Sequence, residues 1–95
     1  MVKSYITDVQ GKELKSMQEK ILVVDDEHEI SDLVELYLQN ENYSVFKFYN
    51  AKEALACIET TELDLAILDI MLPDMSGFAL CQKIREKHAY PIIML

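Results

Sequence analysis

From residue 20 onward, apolar and polar positions follow a regular order. Ile21, Leu22, Val23 and Val24 form an unbroken apolar run that stops at Asp25 and Asp26, the pattern of a strand buried on both faces. Ile30, Leu33, Val34, Tyr37 and Leu38 then recur at helical spacing, with Glu29, Asp32, Glu35 and Gln39 mostly between them. That pattern predicts an amphipathic helix ending near Asn40. Residues 43–48 carry Val45, Phe46 and Phe48, a β-rich run whose alternation is imperfect. Asn50 is placed to cap a helix running to about Glu59, with Ala51, Ala54, Leu55 and Ile58 on one face.

Residues 65–68 predict a second strand buried on both faces, and it too ends in an acid, Asp69. Residues 70–77 hold Pro73 and Gly77 and read as a loop. Phe78, Cys81, Ile84 and Arg85 follow at helical spacing to about His88, and Pro91 opens a last apolar run over residues 92–95. The order is βαβαβαβ. Strands alternating with amphipathic helices define an α/β fold, a doubly wound parallel sheet with right-handed crossovers and helices on both faces. In such sheets functional groups gather outside the carboxyl ends of the strands, which puts Asp25, Asp26 and Asp69 on one rim.

Composition narrows the chemistry. Ninety-five residues supply one domain at most, and a formal charge of -8 argues against direct nucleic-acid binding. Cys57 and Cys81 have neither metal-ligand spacing nor the density of a disulfide scaffold, and both fall in apolar stretches that suit buried free thiols. No apolar run is long enough to cross a bilayer and the start lacks a signal-peptide core, so the expected location is cytoplasmic.

Three carboxylates at two strand ends repel one another; at about 4 Å and an effective dielectric near 20, a pair costs about 4 kcal/mol. A protein keeps such a group when a cation neutralises it or one acid stays protonated. Oxygen-only ligands favour a hard ion such as Mg²⁺, and the loop after Asp69 can add a backbone carbonyl. The arrangement suits phosphoryl transfer with one carboxylate as nucleophile. An Asp closing a strand is often only a cap for the next helix, but a pair plus a third acid on one rim is harder to explain that way. Other residues have plainer readings. His28 and His88 read as solvated helix residues, and Glu29, Asp32 and Glu35 as a solvated face. Met71, Leu72 and Met75 read as loop packing, and the aromatic residues of the 46–49 stretch as strand packing.

"KILVVDDEHEI" at residues 20–30 and "LAILDIMLPDMSGF" at residues 65–78 resemble the receiver domains of two-component response regulators. The resemblance runs over residues 20–95, and within the family it is nearest to the winged-helix transcription factors. It implies a flavodoxin-like fold with Asp69 as phosphoacceptor, Asp26 as a direct Mg²⁺ ligand and Asp25 as a direct or water-mediated one. The main-chain carbonyl of Met71 would complete the protein's share of the metal shell, while Pro73 and Gly77 would shape the loop. The first helix and the loop around Asp69 would meet the sensor histidine kinase that donates the phosphoryl group. The resemblance also implies a protein that assists its own phosphorylation rather than an enzyme with a separate substrate.

Receivers carry a Ser or Thr after the fourth strand, then a helix, a strand ending in Lys, and a last helix; residues 20–95 therefore read as an incomplete receiver lacking that final α-β-α. Lys83 and Lys87 fall on a helix and are poor substitutes for the missing Lys. The expectation is weak chemistry at Asp69 and self-association through an exposed sheet edge. Residues 1–19 read as an extension, with Met17 the expected natural start and a short helix over residues 7–17 the competing reading. Two rival functions remain. A haloacid-dehalogenase-type phosphatase wants a second acid two residues after its nucleophile, where this chain has Met71. A phosphorylation-incompetent interaction module would keep the docking surfaces without the switch.

Overall fold

Four strands and three helices alternate strictly through residues 18–95, the part of the chain that the computed structural model describes. They are β1 (Lys20–Val24), α1 (His28–Asn40), β2 (Ser44–Phe48), α2 (Ala51–Thr60), β3 (Leu65–Leu68), α3 (Gly77–Arg85) and β4 (Ile92–Met94). The expected start at Met17 and the alternative helix over residues 7–17 lie outside the described residues.

The strands form one parallel sheet in the order β2-β1-β3-β4. The chain steps one way from β1 to β2 and the other way afterwards. Right-handed crossovers therefore put α1 on one face and α2 and α3 together on the other. Between those two helices and the sheet lies the core: Leu22, Val24, Ala66 and Leu68 from the strands, Ala51, Ala54 and Ile58 from α2, and Leu80 and Ile84 from α3. Phe46 and Phe48 pack against it, as expected of strand aromatics. Local signals set the helix starts. Asn50 accepts the Glu53 amide at 2.9 Å, and Ser76 accepts the Phe78 and Ala79 amides at 3.1 and 3.2 Å.

Several expectations are corrected. β1 is buried on both faces, but β3 is not: Ala66 and Leu68 are buried while Leu65 and Ile67 are only half-buried. α1 packs chiefly over β1 and β2, and the second face of β3 is partly open. On α1 itself Ser31 is the fully buried residue, followed by half-buried Val34 and Leu38, whereas Leu33 and Tyr37 are 67% and 68% exposed and Ile30 is exposed too. Among the described residues the helix stands alone on its face, so only the side turned to the sheet is covered. Ser31 is satisfied within the helix, its hydroxyl donating to the His28 carbonyl at 3.3 Å. α3 ends at Arg85 rather than His88, and its buried positions are Gly77, Leu80 and Ile84. Phe78, expected on the packed side, is 56% exposed. Cys57 and Cys81 are free thiols, half-buried rather than buried.

The solvated acidic face also has a partner. The Lys47 ammonium on β2 donates to Asp32 and to Glu35, tying α1 to the edge strand. These contacts hold the Asp32 carboxyl below its ordinary range and raise the Lys47 ammonium above its own. His28 is exposed at the start of α1 and stacks on Tyr49, ring centroids 3.7 Å apart. Among the described residues no helix is long and apolar enough to cross a membrane.

Candidate functional site

Register builds the site. β1 and β3 pair in parallel with Val24 opposite Leu68, so the next residues, Asp25 and Asp69, emerge side by side from adjacent strands about 4.8 Å apart. The ladder continues past the last strand residues: the Asp69 amide donates to the Val24 carbonyl at 2.8 Å, and the Asp25 amide to Phe48 at 3.1 Å. Asp26 follows on the same rim. Asp25, Asp26 and Asp69 each offer an oxygen, and these atoms all lie within 4.8 Å of one another. The three acids that the sequence put on one rim are therefore brought together.

Their environments differ. Asp25 is 3% exposed, Asp69 half-buried and Asp26 exposed. Burial pushes the Asp25 carboxyl above its ordinary value, and the neighbouring Asp69 carboxylate pushes the same way. The Glu27 amide, donating to Asp25 Oδ1 at 2.9 Å, works against them. Burial wins. A buried acid beside another acid, with one amide for relief, is a site short of positive charge.

The loop after β3 closes the site from one side. The Met71 amide donates to Asp69 Oδ1 at 3.2 Å, Met71 bridges Ser76, and the Gly77 amide donates to the Ile70 carbonyl at 2.7 Å. The loop doubles back so tightly that a Cβ on Gly77 would stand 2.1 Å from the Asp69 carbonyl oxygen. Only glycine fits there. Asp26, Glu27, Asp69, Met71, Leu72 and Pro73 line an open cavity of about 410 Å³. Met71 is 78% exposed rather than packed, whereas Leu72 and Met75 do pack on the core.

The donor set fits a hard divalent cation: carboxylate oxygens, a nearby loop of backbone carbonyls, and an opening that leaves room for water and a phosphoryl group. It does not fit a soft metal, since neither cysteine nor either histidine joins the cluster.

The sequence reading did not single out Asp74. Its Oδ1 and Oδ2 accept the backbone amides of Ala51 and Lys52, each at 2.9 Å, at the start of α2. These amides, Ala51's first, hold the Asp74 carboxyl below its ordinary range. No local pattern signals a contact 23 residues away.

A parallel α/β sheet with paired acids ending β1, a third acid ending β3 and a Gly-closed loop after it defines a receiver, and the chain belongs to the response regulator receiver domain family, whose family model matches residues 21–95. Among curated relatives it is 75% identical over 79 residues to "Regulatory protein VanR" of Enterococcus faecium and 57% identical to "Regulatory protein VanRc" of Enterococcus gallinarum. Each match covers 83% of this chain and 34% of the relative, so the chain spans about a third of their length. Solved structures agree on the fold. A two-component response regulator from Clostridium difficile aligns with a TM-score of 0.79 at 34% identity, covering 81% of this chain and 64% of that one. A response regulator crystallised with a histidine kinase aligns at 0.76 and 40% identity, covering 81% of this chain and 67% of that one.

Proposed function

We propose that this chain accepts a phosphoryl group on Asp69 from a sensor histidine kinase, with Mg²⁺ held by Asp26, Asp25, Asp69 and the Met71 carbonyl. The meeting of three carboxylates at the rim, one of them buried with a raised pKa, carries this reading. Membership of the receiver family and the kinase complex of a relative support it.

The chemistry asks little of the protein beyond placement. An Asp69 carboxylate oxygen attacks phosphorus; a P–O bond forms as the P–N bond to the donor's histidine breaks, and that electron pair stays on the imidazole nitrogen. A carboxylate nucleophile has no proton to surrender in the attack, so the step calls for no general base. Bound Mg²⁺ would offset the charge of the acids and of the phosphoryl oxygens. Asp25 and Asp26 would hold the ion beside the nucleophile, and Gly77 lets the Asp69 main chain lie close against the loop. The chain thus assists its own modification and is not an enzyme with a separate substrate. In the longer relatives this step would regulate transcription, with the chain in the cytoplasm. Exposed Ile93 and Leu95 at the β4 edge would support self-association.

Intact mass spectrometry before and after incubation with Mg²⁺ and acetyl phosphate tests the proposal. One added phosphoryl group, lost in Asp69→Asn, is expected. No addition to a chain shown by circular dichroism to be folded would contradict it and favour an interaction module, for which exposed Leu33 and Tyr37 on α1 offer a surface.

A further inference from the structure

We infer that Asp74 is a positioning residue for the acid site, hooking the tip of the loop that carries Met71 onto the first turn of α2. This rests on the phosphoacceptor reading above and adds to it a residue that touches neither metal nor phosphoryl group.

Three observations converge on it. The Met71–Ser76 bridge makes residues 71–76 a small closed loop, with Asp74 near its tip and Met71 at its base beside Asp69. Both Asp74 oxygens are used, one on the Ala51 amide and one on the Lys52 amide. α2 already has a cap of its own, since Asn50 accepts the Glu53 amide. Asp74 therefore satisfies amides that Asn50 does not reach. The tip is fixed to a helix whose Ala51, Ala54 and Ile58 are set in the core.

The base of the loop is less well held. Pro73 and Met71 are exposed, and among the described residues Met71 has one polar tie, its amide to Asp69. With the tip released, residues 70–76 keep the Met71 amide on Asp69, the Gly77 amide on the Ile70 carbonyl, the bridge, the Ser76 cap of α3 and the half-buried Leu72 and Met75. Those contacts fix the loop's distance from the core more than the direction of its carbonyls. A carbonyl meant to face a small ion with strict geometry needs that direction fixed.

A cap that only stabilises α2 would act like Asn50, so the pair Asp74→Ala and Asn50→Ala separates the two roles. Both variants lose backbone partners at the start of α2, and both should lower the urea midpoint. In the metal-free chain, amide hydrogen exchange at Gly77, whose partner is the Ile70 carbonyl, should speed up roughly tenfold in Asp74→Ala and stay near wild type in Asn50→Ala. Mg²⁺ affinity, read from amide chemical shifts, should fall roughly threefold to tenfold in Asp74→Ala alone. Asp74→Asn keeps one acceptor oxygen and should fall between. Equal exchange and equal Mg²⁺ affinity in the two alanine variants would overturn the role of Asp74 and leave the phosphoacceptor reading standing. A wild-type chain that binds no Mg²⁺ would overturn that reading and, with it, the assignment of Asp74 to the site.

Discussion

The two faces of the sheet carry similar apolar residues and are covered very differently. On one face Leu22, Val24, Ala66 and Leu68 are shut in by α2 and α3. On the other, Ile21 and Val23 are buried, Leu65 and Ile67 are half-buried, and Ile93 on β4 is 48% exposed. Apolar type says that a strand residue can be buried; the helix above it decides whether it is. The acid site sits where this difference matters least. Asp25 and Asp69 are fixed by the register of the two central strands, and the Gly77 closure sets the Asp69 backbone whatever covers the far face.

Core truncations test the comparison most strongly. Leu68→Ala should cost about 3 kcal/mol by urea denaturation, and Ile67→Ala, one residue away on the half-open face, about 1 kcal/mol. Equal costs would break the distinction between the faces. Gly77→Ala comes next. Its Cβ has no room against the Asp69 carbonyl, so it should lose about 2 kcal/mol and shift the Asp69 and Ile70 amide resonances.

Asp25→Asn should do the opposite, stabilising the metal-free chain at neutral pH, because it removes a buried charge while keeping an acceptor for the Glu27 amide. The sign follows from the raised carboxyl. The folded state holds that proton more tightly than the unfolded one. Its stabilising share is full below the ordinary carboxylate range and lost as pH rises through the raised value. Stability of the metal-free chain measured against pH should show that loss, and Asp25→Asn should flatten it. The smallest effect belongs to the open side. Leu33→Lys should leave the unfolding free energy from urea denaturation within about 0.5 kcal/mol of wild type, and sedimentation should show no greater association than the parent chain.

What the sequence made legible was whatever rests on local pattern. The bounds of β3, the Asn50 cap and the gathering of Asp25, Asp26 and Asp69 all follow from runs, turn residues and the strand-end rule. Facing was less legible. The stripe Ile30, Leu33, Val34, Tyr37 and Leu38 marks α1 as amphipathic, yet Ser31 meets the sheet, because periodicity gives the width of a stripe and not its aim. Phe78 misled for a related reason: Ser76 starts the helix so that Gly77, Leu80 and Ile84 turn inward instead. Contacts between distant segments, Asp74 with α2 and Lys47 with Asp32 and Glu35, carry no local signature at all.

The most direct test of the central claim is to locate the modified residue. After incubation with Mg²⁺ and acetyl phosphate, borohydride reduces an acyl phosphate to the alcohol, so peptide sequencing should find homoserine at position 69 and nowhere else, and none when Mg²⁺ is chelated. Homoserine at position 25 or 26, or equal labelling without Mg²⁺, would contradict an Asp69 phosphoacceptor served by a metal held among these acids.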